Sequence, residues 1–196
     1  MLKTTTLCAT MILLAACGGD AADETADAGM AGDTAGAGMA EAPPAQMMSA
    51  TASLSDAQGN AVGTATLEEG EAGVRINLQF TGLPAGTHGF HVHQVGDCTA
   101  PTFETAGGHF NPTSMQHGLD NPQGPHAGDM QNIEVGTDGT ASLAFDNDRI
   151  TLSQGANSVL DADGSALVVH AGPDDNMTDP SGNSGDRIAC GVITGA

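Results

Sequence analysis

Apolar and polar side chains alternate one by one between residues 74 and 81, where Val74, Ile76, Leu78 and Phe80 are separated by polar residues. Because successive side chains of a β-strand point to opposite faces, this period of two predicts a strand with one buried face. Residues 50–55 and 62–68 continue the pattern on either side of a polar, glycine-containing turn. The first part of the pattern therefore predicts a three-stranded meander.

Five more strands are predicted from short apolar runs later in the chain, at residues 88–94, 131–135, 141–146, 166–170 and 188–193. About eight strands with no convincing helix predict an all-β fold. This fold is an eight-stranded antiparallel Greek-key flattened barrel, or immunoglobulin-like sandwich. The connections 95–130 and 171–186 are long for so small a domain, which is typical of functional loops.

Composition agrees with turn-rich β structure, since the 196 residues include 28 Gly and 9 Pro but only five Phe and no Trp or Tyr. This length suits one domain with extensions and excludes a two-domain enzyme. Four Lys and Arg stand against 24 acids, a formal charge of -20. Such a charge opposes contact with phosphate backbones and anionic lipid headgroups, so no nucleic-acid partner is expected.

The first 16 residues have the features of an export signal: Lys3, then an apolar run too short to span a bilayer. The run ends in Leu14-Ala15-Ala16-Cys17, which resembles the lipobox of bacterial lipoproteins. The sequence thus predicts a lipoprotein signal peptide at 1–16 and a lipidated Cys17 that anchors the chain to a membrane of the cell envelope, in the periplasm or on the outer surface. An ordinary secretory signal is the alternative, and it also exports the chain.

Residues 17–48 are predicted to be a disordered tether and residues 49–196 the folded domain. Between residues 18 and 48 there are ten Ala, six Gly and six acids but no Val, Ile, Leu or Phe. Such a segment buries too little apolar area to offset the entropy of ordering. The domain that follows has 18 acids and three Arg, a formal charge of -15.

Two cysteines, Cys98 and Cys190, remain after Cys8 of the signal peptide and the lipidated Cys17 are set aside. In an exported domain the economical arrangement of two thiols is one disulfide. Two free thiols, or a pair that binds a soft metal, are the alternatives.

All seven histidines lie between residues 88 and 170. Alternation along the strand at 88–94 predicts that His91 and His93 share one outer face, spaced for a single metal. The remaining candidate ligands lie in the long connection or at a strand end: His109, His117, His126, Asp129 and His170. A single histidine is more often a hydrogen-bonded surface residue, and a histidine-rich metal-storage loop is the stronger alternative for the set.

Several short motifs surround the histidines and the second cysteine. They are Gly89-Phe90-His91-Val92-His93, Gly108-His109-Phe110-Asn111-Pro112, His126-Ala127-Gly128-Asp129, Val169-His170-Ala171-Gly172 and the stretch from Gly185 to Val192 that contains Arg187 and Cys190. Together these motifs resemble the copper/zinc superoxide dismutase family, and in particular its bacterial lipoprotein-type members, over most of residues 50–196. The family resemblance implies an eight-stranded Greek-key β-barrel.

The resemblance also implies two metal cofactors that share one ligand. Copper is expected on His91, His93, His109 and His170. Zinc is expected on His109, His117, His126 and Asp129. His109 would then bind both ions, and imidazole donors suit both of them.

Further roles follow from the same resemblance. Arg187 is expected beside the copper, where its guanidinium would dock the superoxide anion. Asp174 is expected to link the noncoordinating nitrogens of His91 and His117. His88 is expected to make structural hydrogen bonds without binding metal, and Cys98 and Cys190 to form the disulfide. Arg75 and Arg149 are interpreted as surface residues.

The implied activity is dismutation of superoxide to dioxygen and hydrogen peroxide by copper beside a structural zinc, with His109 and Arg187 as catalytic residues. At the cell envelope, this activity would defend against oxidative stress. A noncatalytic metal-binding lipoprotein, or a barrel that has lost its metals, is the alternative. The sequence leaves open a monomer or a possible homodimer.

Overall fold

The structure, a computed structural model, describes residues 47–196. The predicted signal peptide, the lipidation site Cys17 and the tether up to residue 46 lie outside the described residues. The described part forms ten strands and one short 3-10 turn. They are β1 (Ser49–Asp56), β2 (Ala61–Gly70), β3 (Gly73–Phe80), β4 (Gly86–His88), β5 (Phe90–His93), the 3-10 turn (Glu104–Ala106), β6 (Ile133–Val135), β7 (Ala141–Asn147), β8 (Ala166–His170), β9 (Arg187–Val192) and β10 (Thr194–Gly195).

Eight strands form one antiparallel sheet in the order β5-β8-β9-β1-β2-β3-β7, with β10 paired to β1. Strands β4 and β6 form a separate two-stranded sheet. The large sheet curls into a half-barrel, and the pairs β5–β8 and β3–β7 join strands that are not consecutive, as Greek-key connections require. The predicted all-β antiparallel fold is confirmed.

The alternation that predicted β3 is present in the structure. Val74, Ile76 and Leu78 are fully buried, whereas Arg75 and Gln79 on the same strand are exposed. The buried face packs against the inner residues of β1 and β2 in one core that also contains Phe80 and Phe90. Burial of this apolar face is the main contribution to the stability of the sheet.

The segment predicted as one strand at 88–94 is instead two strands that belong to different sheets. The chain changes partner at Gly89, whose N–H donates to Gly172 and whose carbonyl accepts from His170. A Cβ at Gly89 would lie 2.8 Å from the Cβ of Ser184 and 3.4 Å from that of Asp174. Glycine therefore permits the close approach of residues 171–186, and alternation alone does not reveal this break.

Other differences from the predicted elements are small. The 3-10 turn and the two-residue β10 were not predicted, and β6 begins at Ile133 rather than at 131. Within the described range, no helix is long and apolar enough to cross a membrane.

Two connections carry most of the polar residues of interest: the first long loop (residues 94–132) follows β5, and the second long loop (residues 171–186) joins β8 to β9. A disulfide joins Cys98 in the first long loop to Cys190 in β9, with a Cα–Cα distance of 5.6 Å. This confirms the predicted bridge. It ties the first long loop to the neighbouring strand of the main sheet.

Candidate metal centre

The free edge of β5 is covered by two stretches of the first long loop. Val92 donates its backbone N–H to Gly128 at 2.9 Å and accepts a hydrogen bond from Phe110 at 2.8 Å. The bridge contacts His91–Asp129 and His93–His109 extend this pairing on both sides. Backbone hydrogen bonding thus places His109 and Asp129 beside the two histidines of β5.

Four histidines, His91, His93, His109 and His170, form the four-histidine cluster. Their candidate ligand nitrogens all lie within 4.8 Å of one another, and all four residues are buried. The predicted outer face of His91 and His93 is therefore not exposed to solvent. The first and second long loops pack over it, and the burial of a face by loops cannot be read from the alternation of a strand.

In three of these rings, one nitrogen is held by a carboxylate or a backbone carbonyl. His91 Nε2 donates to Asp174 Oδ2 at 2.6 Å. His93 Nδ1 donates to the carbonyl of Gly107 at 2.9 Å, and His170 Nδ1 donates to that of Gly185 at 3.1 Å. Each bond fixes the tautomer and leaves the other nitrogen with a lone pair. His93 Nε2 and His170 Nε2 then face each other at 3.4 Å.

Burial keeps these rings neutral. Loss of solvation lowers the pKa of His91 to about 3 and that of His170 to about 4. The pKa of His93 is also well below its ordinary value, again because of burial. Neutral imidazole is the form that binds a metal, so the cluster is ready to bind at neutral pH.

Two nitrogens of the four-histidine cluster, His91 Nδ1 and His109 Nε2, are buried without a hydrogen-bond partner among the described residues. Leaving a buried polar atom unpaired costs on the order of 1–3 kcal/mol, so such atoms require an explanation. A metal ion bound by the cluster would satisfy both.

The aspartate cluster, His109, His117, His126 and Asp129, lies on the other side of the His109 ring. Its three Nδ1 atoms lie 2.8, 3.0 and 3.2 Å from one oxygen, Oδ1 of Asp129. Oδ2 of Asp129 accepts the backbone N–H groups of Gly118 and His126, both at 2.9 Å. The carboxylate is thus held from two sides with one oxygen directed at three rings.

Unlike the four-histidine cluster, the aspartate cluster contains charged side chains. Burial alone would raise the pKa of Asp129, but the hydrogen bonds from the three rings and from Gly118 hold it well below its usual range. Burial alone would lower the pKa of His117, but hydrogen bonds to Asp129 and Asp174 raise it to about 9. In the metal-free protein, His117 therefore carries a proton that metal binding must displace.

Asp174, in the second long loop, lies between the two clusters. Its Oδ2 accepts from His91 Nε2 and its Oδ1 accepts from His117 Nε2 at 3.0 Å. Gly182, with φ +61°, packs so tightly against this carboxylate that any Cβ at position 182 would clash with it. One buried carboxylate thus orients one ring in each cluster.

Arg187, the first residue of β9, is held by the first long loop. Nη1 donates to the carbonyl of Phe103 and Nη2 to that of Gly107, both at 2.6 Å. Arg187 also lines a cavity of about 550 Å³ together with His93, His109 and His170. A fixed cation therefore stands at the open side of the four-histidine cluster.

Both ring nitrogens of His88 lie within hydrogen-bonding distance of backbone carbonyls, of His170 at 2.8 Å and of Pro84 at 2.9 Å. His88 is not part of either cluster. Arg75 lies on the exposed side of β3 and pairs with Asp146. The sequence interpretation missed two contacts: Asp179 accepts the backbone N–H of His117 at 2.7 Å, and Arg149 donates to the carbonyl of Asp129 at 2.8 Å.

The fold and the site together define an all-β protein with two adjoining histidine-rich clusters that share one ring and could each hold a metal ion. The family model described as copper/zinc superoxide dismutase matches residues 61–193. The chain belongs to the copper/zinc superoxide dismutase family, a family of enzymes that use copper and zinc.

Curated relatives support this assignment. Superoxide dismutase [Cu-Zn] 2 of Aquifex aeolicus is 48% identical over 150 residues, covering 76% of this chain and 88% of that protein. Superoxide dismutase [Cu-Zn] of Caulobacter vibrioides is 42% identical, covering 74% of this chain and 85% of that protein. The crystal structure of a double mutant of a SOD-like protein from Bacillus subtilis matches with a TM-score of 0.71 and 43% identity, covering 74% of this chain and 96% of that chain.

The residues present fit both metals. The four-histidine cluster offers an all-imidazole set that suits copper, and two of its buried nitrogens have no hydrogen-bond partner in the part of the chain that the structure describes. The aspartate cluster offers three imidazoles and one carboxylate, a complete tetrahedral set for a closed zinc site.

Proposed function

We propose that this chain dismutates superoxide to dioxygen and hydrogen peroxide at a copper held by the four-histidine cluster, beside a zinc held by the aspartate cluster. The observation that carries the proposal is the position of the His109 ring. Its Nδ1 lies 2.8 Å from Asp129, whereas its Nε2, on the side of the other cluster, is buried and has no hydrogen-bond partner among residues 47–196. One ring therefore offers a donor to each site.

Copper bound at the four-histidine cluster would supply the change of oxidation state that superoxide needs in both directions. The chain's own residues provide geometry and charge. His91, His93 and His170 each have one nitrogen anchored by Asp174, Gly107 or Gly185, which fixes the direction of the other nitrogen. Anchored ligands do not need to reorganise during turnover.

His109 is suited to hold a proton on Nε2 whenever that nitrogen is not bound to metal. This nitrogen faces the four-histidine cluster, so a proton on it would be placed for transfer to a reduced oxygen species bound at that cluster. Attachment of Nδ1 on the zinc side would keep the ring in place while Nε2 gains and loses its proton.

Arg187 is suited to bind the substrate anion. A guanidinium has five N–H donors, and the bonds to Phe103 and Gly107 use one on each Nη. Three donors remain on a side chain that borders the cavity with His93 and His170. A permanent cation with several donors favours a small anion over neutral molecules.

Pulse radiolysis of the metal-reconstituted protein tests the enzyme proposal against a protein that only stores or delivers metal. Superoxide should disappear much faster than in buffer. Arg187→Ala should slow this decay by about tenfold or more with both metals retained, because the local cation is lost. Arg75→Ala, which removes an exposed arginine from the ion pair with Asp146, is the matched control and should leave the rate unchanged. A wild-type rate no better than buffer would reject catalysis.

We also propose that the enzyme acts at the cell envelope of a bacterium, anchored through lipid on Cys17. The support is the sequence Leu14-Ala15-Ala16-Cys17 after a short apolar run. Cys17→Ser should move the protein from the membrane fraction to the soluble exported fraction. Equal membrane association of the two forms would contradict the lipid anchor.

A further inference from the structure

Asn147, the last residue of β7, and Arg149, two residues later, contact the outside of the aspartate cluster. Asn147 is buried and its Nδ2 donates to the carbonyl of Ala127 at 2.9 Å. Its Oδ1 accepts the backbone N–H of Arg149 at 2.9 Å. The Nη2 of Arg149 then donates to the carbonyl of Asp129 at 2.8 Å. A short chain of three hydrogen bonds thus joins the end of β7 to the turn that contains Asp129.

This turn spans residues 126–129 and is closed by the bond from the Asp129 N–H to the His126 carbonyl at 3.3 Å. The side chains of His126 and Asp129 point into the cluster, whereas the carbonyls of Ala127 and Asp129 are bonded by Asn147 and Arg149. The turn is therefore held from outside at Ala127 and Asp129 while its ligand atoms face inward. We propose that Arg149, supported by Asn147, is a positioning residue that fixes Asp129 in the geometry zinc requires.

The environment of Arg149 differs from that of an ordinary surface arginine. Its side chain is 33% exposed, compared with 53% for Arg75. Its Nε is buried and makes no hydrogen bond within the described residues. Desolvating part of a cation costs free energy, and the bonds made by its Nη atoms must offset that cost. The ion pair with Asp148 is long, at 3.4 Å, which leaves the Asp129 carbonyl as the short contact.

The positive charge of Arg149 and its hydrogen bond to the Asp129 carbonyl predict opposite effects on zinc binding. A guanidinium close to the cluster repels a divalent cation, so removing its charge would strengthen zinc binding if Coulomb repulsion were its main effect. If its main effect is to hold Asp129, its removal should weaken zinc binding, because groups that orient a ligand typically contribute about 10–100-fold to metal affinity. The sign of the change therefore separates the two roles.

This inference rests on the proposed zinc site, and the experiment measures zinc directly. Wild type, Arg149→Met, Arg149→Lys and the control Arg75→Met are prepared without metal, and zinc affinity is measured by competition with a chelator. Arg149→Met keeps the aliphatic stem but loses every donor. We expect about a tenfold loss of zinc affinity in Arg149→Met, a smaller loss in Arg149→Lys, which retains a donor, and no change in Arg75→Met.

Two further readouts distinguish positioning from general stability. Cobalt(II) bound in place of zinc should give an altered visible spectrum in Arg149→Met, because that spectrum reports ligand geometry. Denaturant unfolding should show a larger loss of stability in the zinc-loaded form than in the metal-free form, since weaker binding removes part of the stabilisation by ligand. Equal losses in both forms, with wild-type affinity and spectrum, would overturn the positioning role.

The outcome also separates this inference from the zinc assignment itself. If wild type binds no zinc, the zinc site is wrong. If wild type binds zinc and Arg149→Met binds it equally or more tightly, the site stands and the positioning role fails.

Discussion

Arg187 donates from Nη1 to the carbonyl oxygen of Phe103 at 2.6 Å, and this bond attaches the arginine at the mouth of the site to the loop that contains Cys98. Phe103 has a left-handed backbone, with φ 55° and ψ 22°. A bulky residue adopts this conformation only when its surroundings require it. The Phe103 side chain is buried in a small cluster with Val168 and Cys190, so packing beside the disulfide fixes the carbonyl that holds Arg187.

Removal of the disulfide should therefore affect both stability and catalysis. Cys98 and Cys190 are 92 residues apart, and a loop of this length predicts a loss of about 4–5 kcal/mol in the free energy of unfolding of the double Cys→Ser variant. Denaturant unfolding measures this loss. We also expect slower superoxide decay at unchanged metal content, because Phe103 and Gly107 would no longer hold Arg187 firmly. A variant with wild-type stability and rate would show that the bridge has neither role.

Substitution of single ligands should separate the two metals. His170→Ala removes a ligand of the four-histidine cluster only, so copper and activity should be lost while zinc stays bound. His117→Ala removes a ligand of the aspartate cluster only, so zinc should be lost more readily than copper. Metal analysis after dialysis measures both stoichiometries. Loss of both metals in the His170 variant, with the protein still folded, would contradict two separable sites.

The metal-free protein should be most stable near pH 6.5. In the folded state, burial lowers the pKa of His91 to about 3 and that of His170 to about 4, so both rings stay neutral below pH 6.5. The same rings take up protons in the unfolded chain, and the free energy of unfolding therefore falls as the pH falls. The lowered pKa of His170 corresponds to a decrease of at most roughly 3 kcal/mol in the free energy of unfolding. Above pH 6.5, His117, with its pKa raised to about 9, loses its favourable charge and stability falls again.

Unfolding midpoints of the metal-free protein between about pH 4 and 9 test this profile. The metal-loaded protein is the comparison: because bound metal displaces the protons from these rings, it should show no decline above pH 6.5 from His117 and a steeper decline below pH 6.5. Stability of the metal-free form that keeps rising toward pH 4 would contradict the assignment of neutral, buried rings.

Raising the ionic strength should not greatly slow the decay of superoxide. The domain has a formal charge of -15, and only three arginines are present to attract an anion. Salt screens the general repulsion of superoxide as well as its attraction to Arg187, so the rate constant should change by less than about twofold, or rise, between roughly 0.01 and 0.2 M salt. Pulse radiolysis across this range measures the dependence. A steep fall with salt would indicate long-range attraction that the charges do not explain.

Much of the fold could be predicted from the sequence because it depends on local pattern. Alternation at Val74, Ile76, Leu78 and Phe80 gave β3 directly, and the spacing of glycine-rich turns gave the meander. The break at Gly89 could not be predicted, because it depends on how closely Ser184 approaches from a distant loop.

The candidate ligands could be identified from their motifs, but the burial of these ligands and the residues that contact them could not be predicted. His91 and His93 were expected on an outer face, and the long loops bury them instead. Arg149 was interpreted as a surface residue, although it reaches the carbonyl of Asp129 across 20 residues of chain. Hydrogen bonds to backbone carbonyls depend on tertiary packing and leave no signature in side-chain spacing.

The most direct measurement is anomalous diffraction at the copper and zinc absorption edges from crystals of the protein loaded with both metals. We expect a copper peak beside Nε2 of His109 and a zinc peak beside Nδ1 of the same ring. Peaks on separate rings, or a single metal in the whole domain, would contradict this expectation.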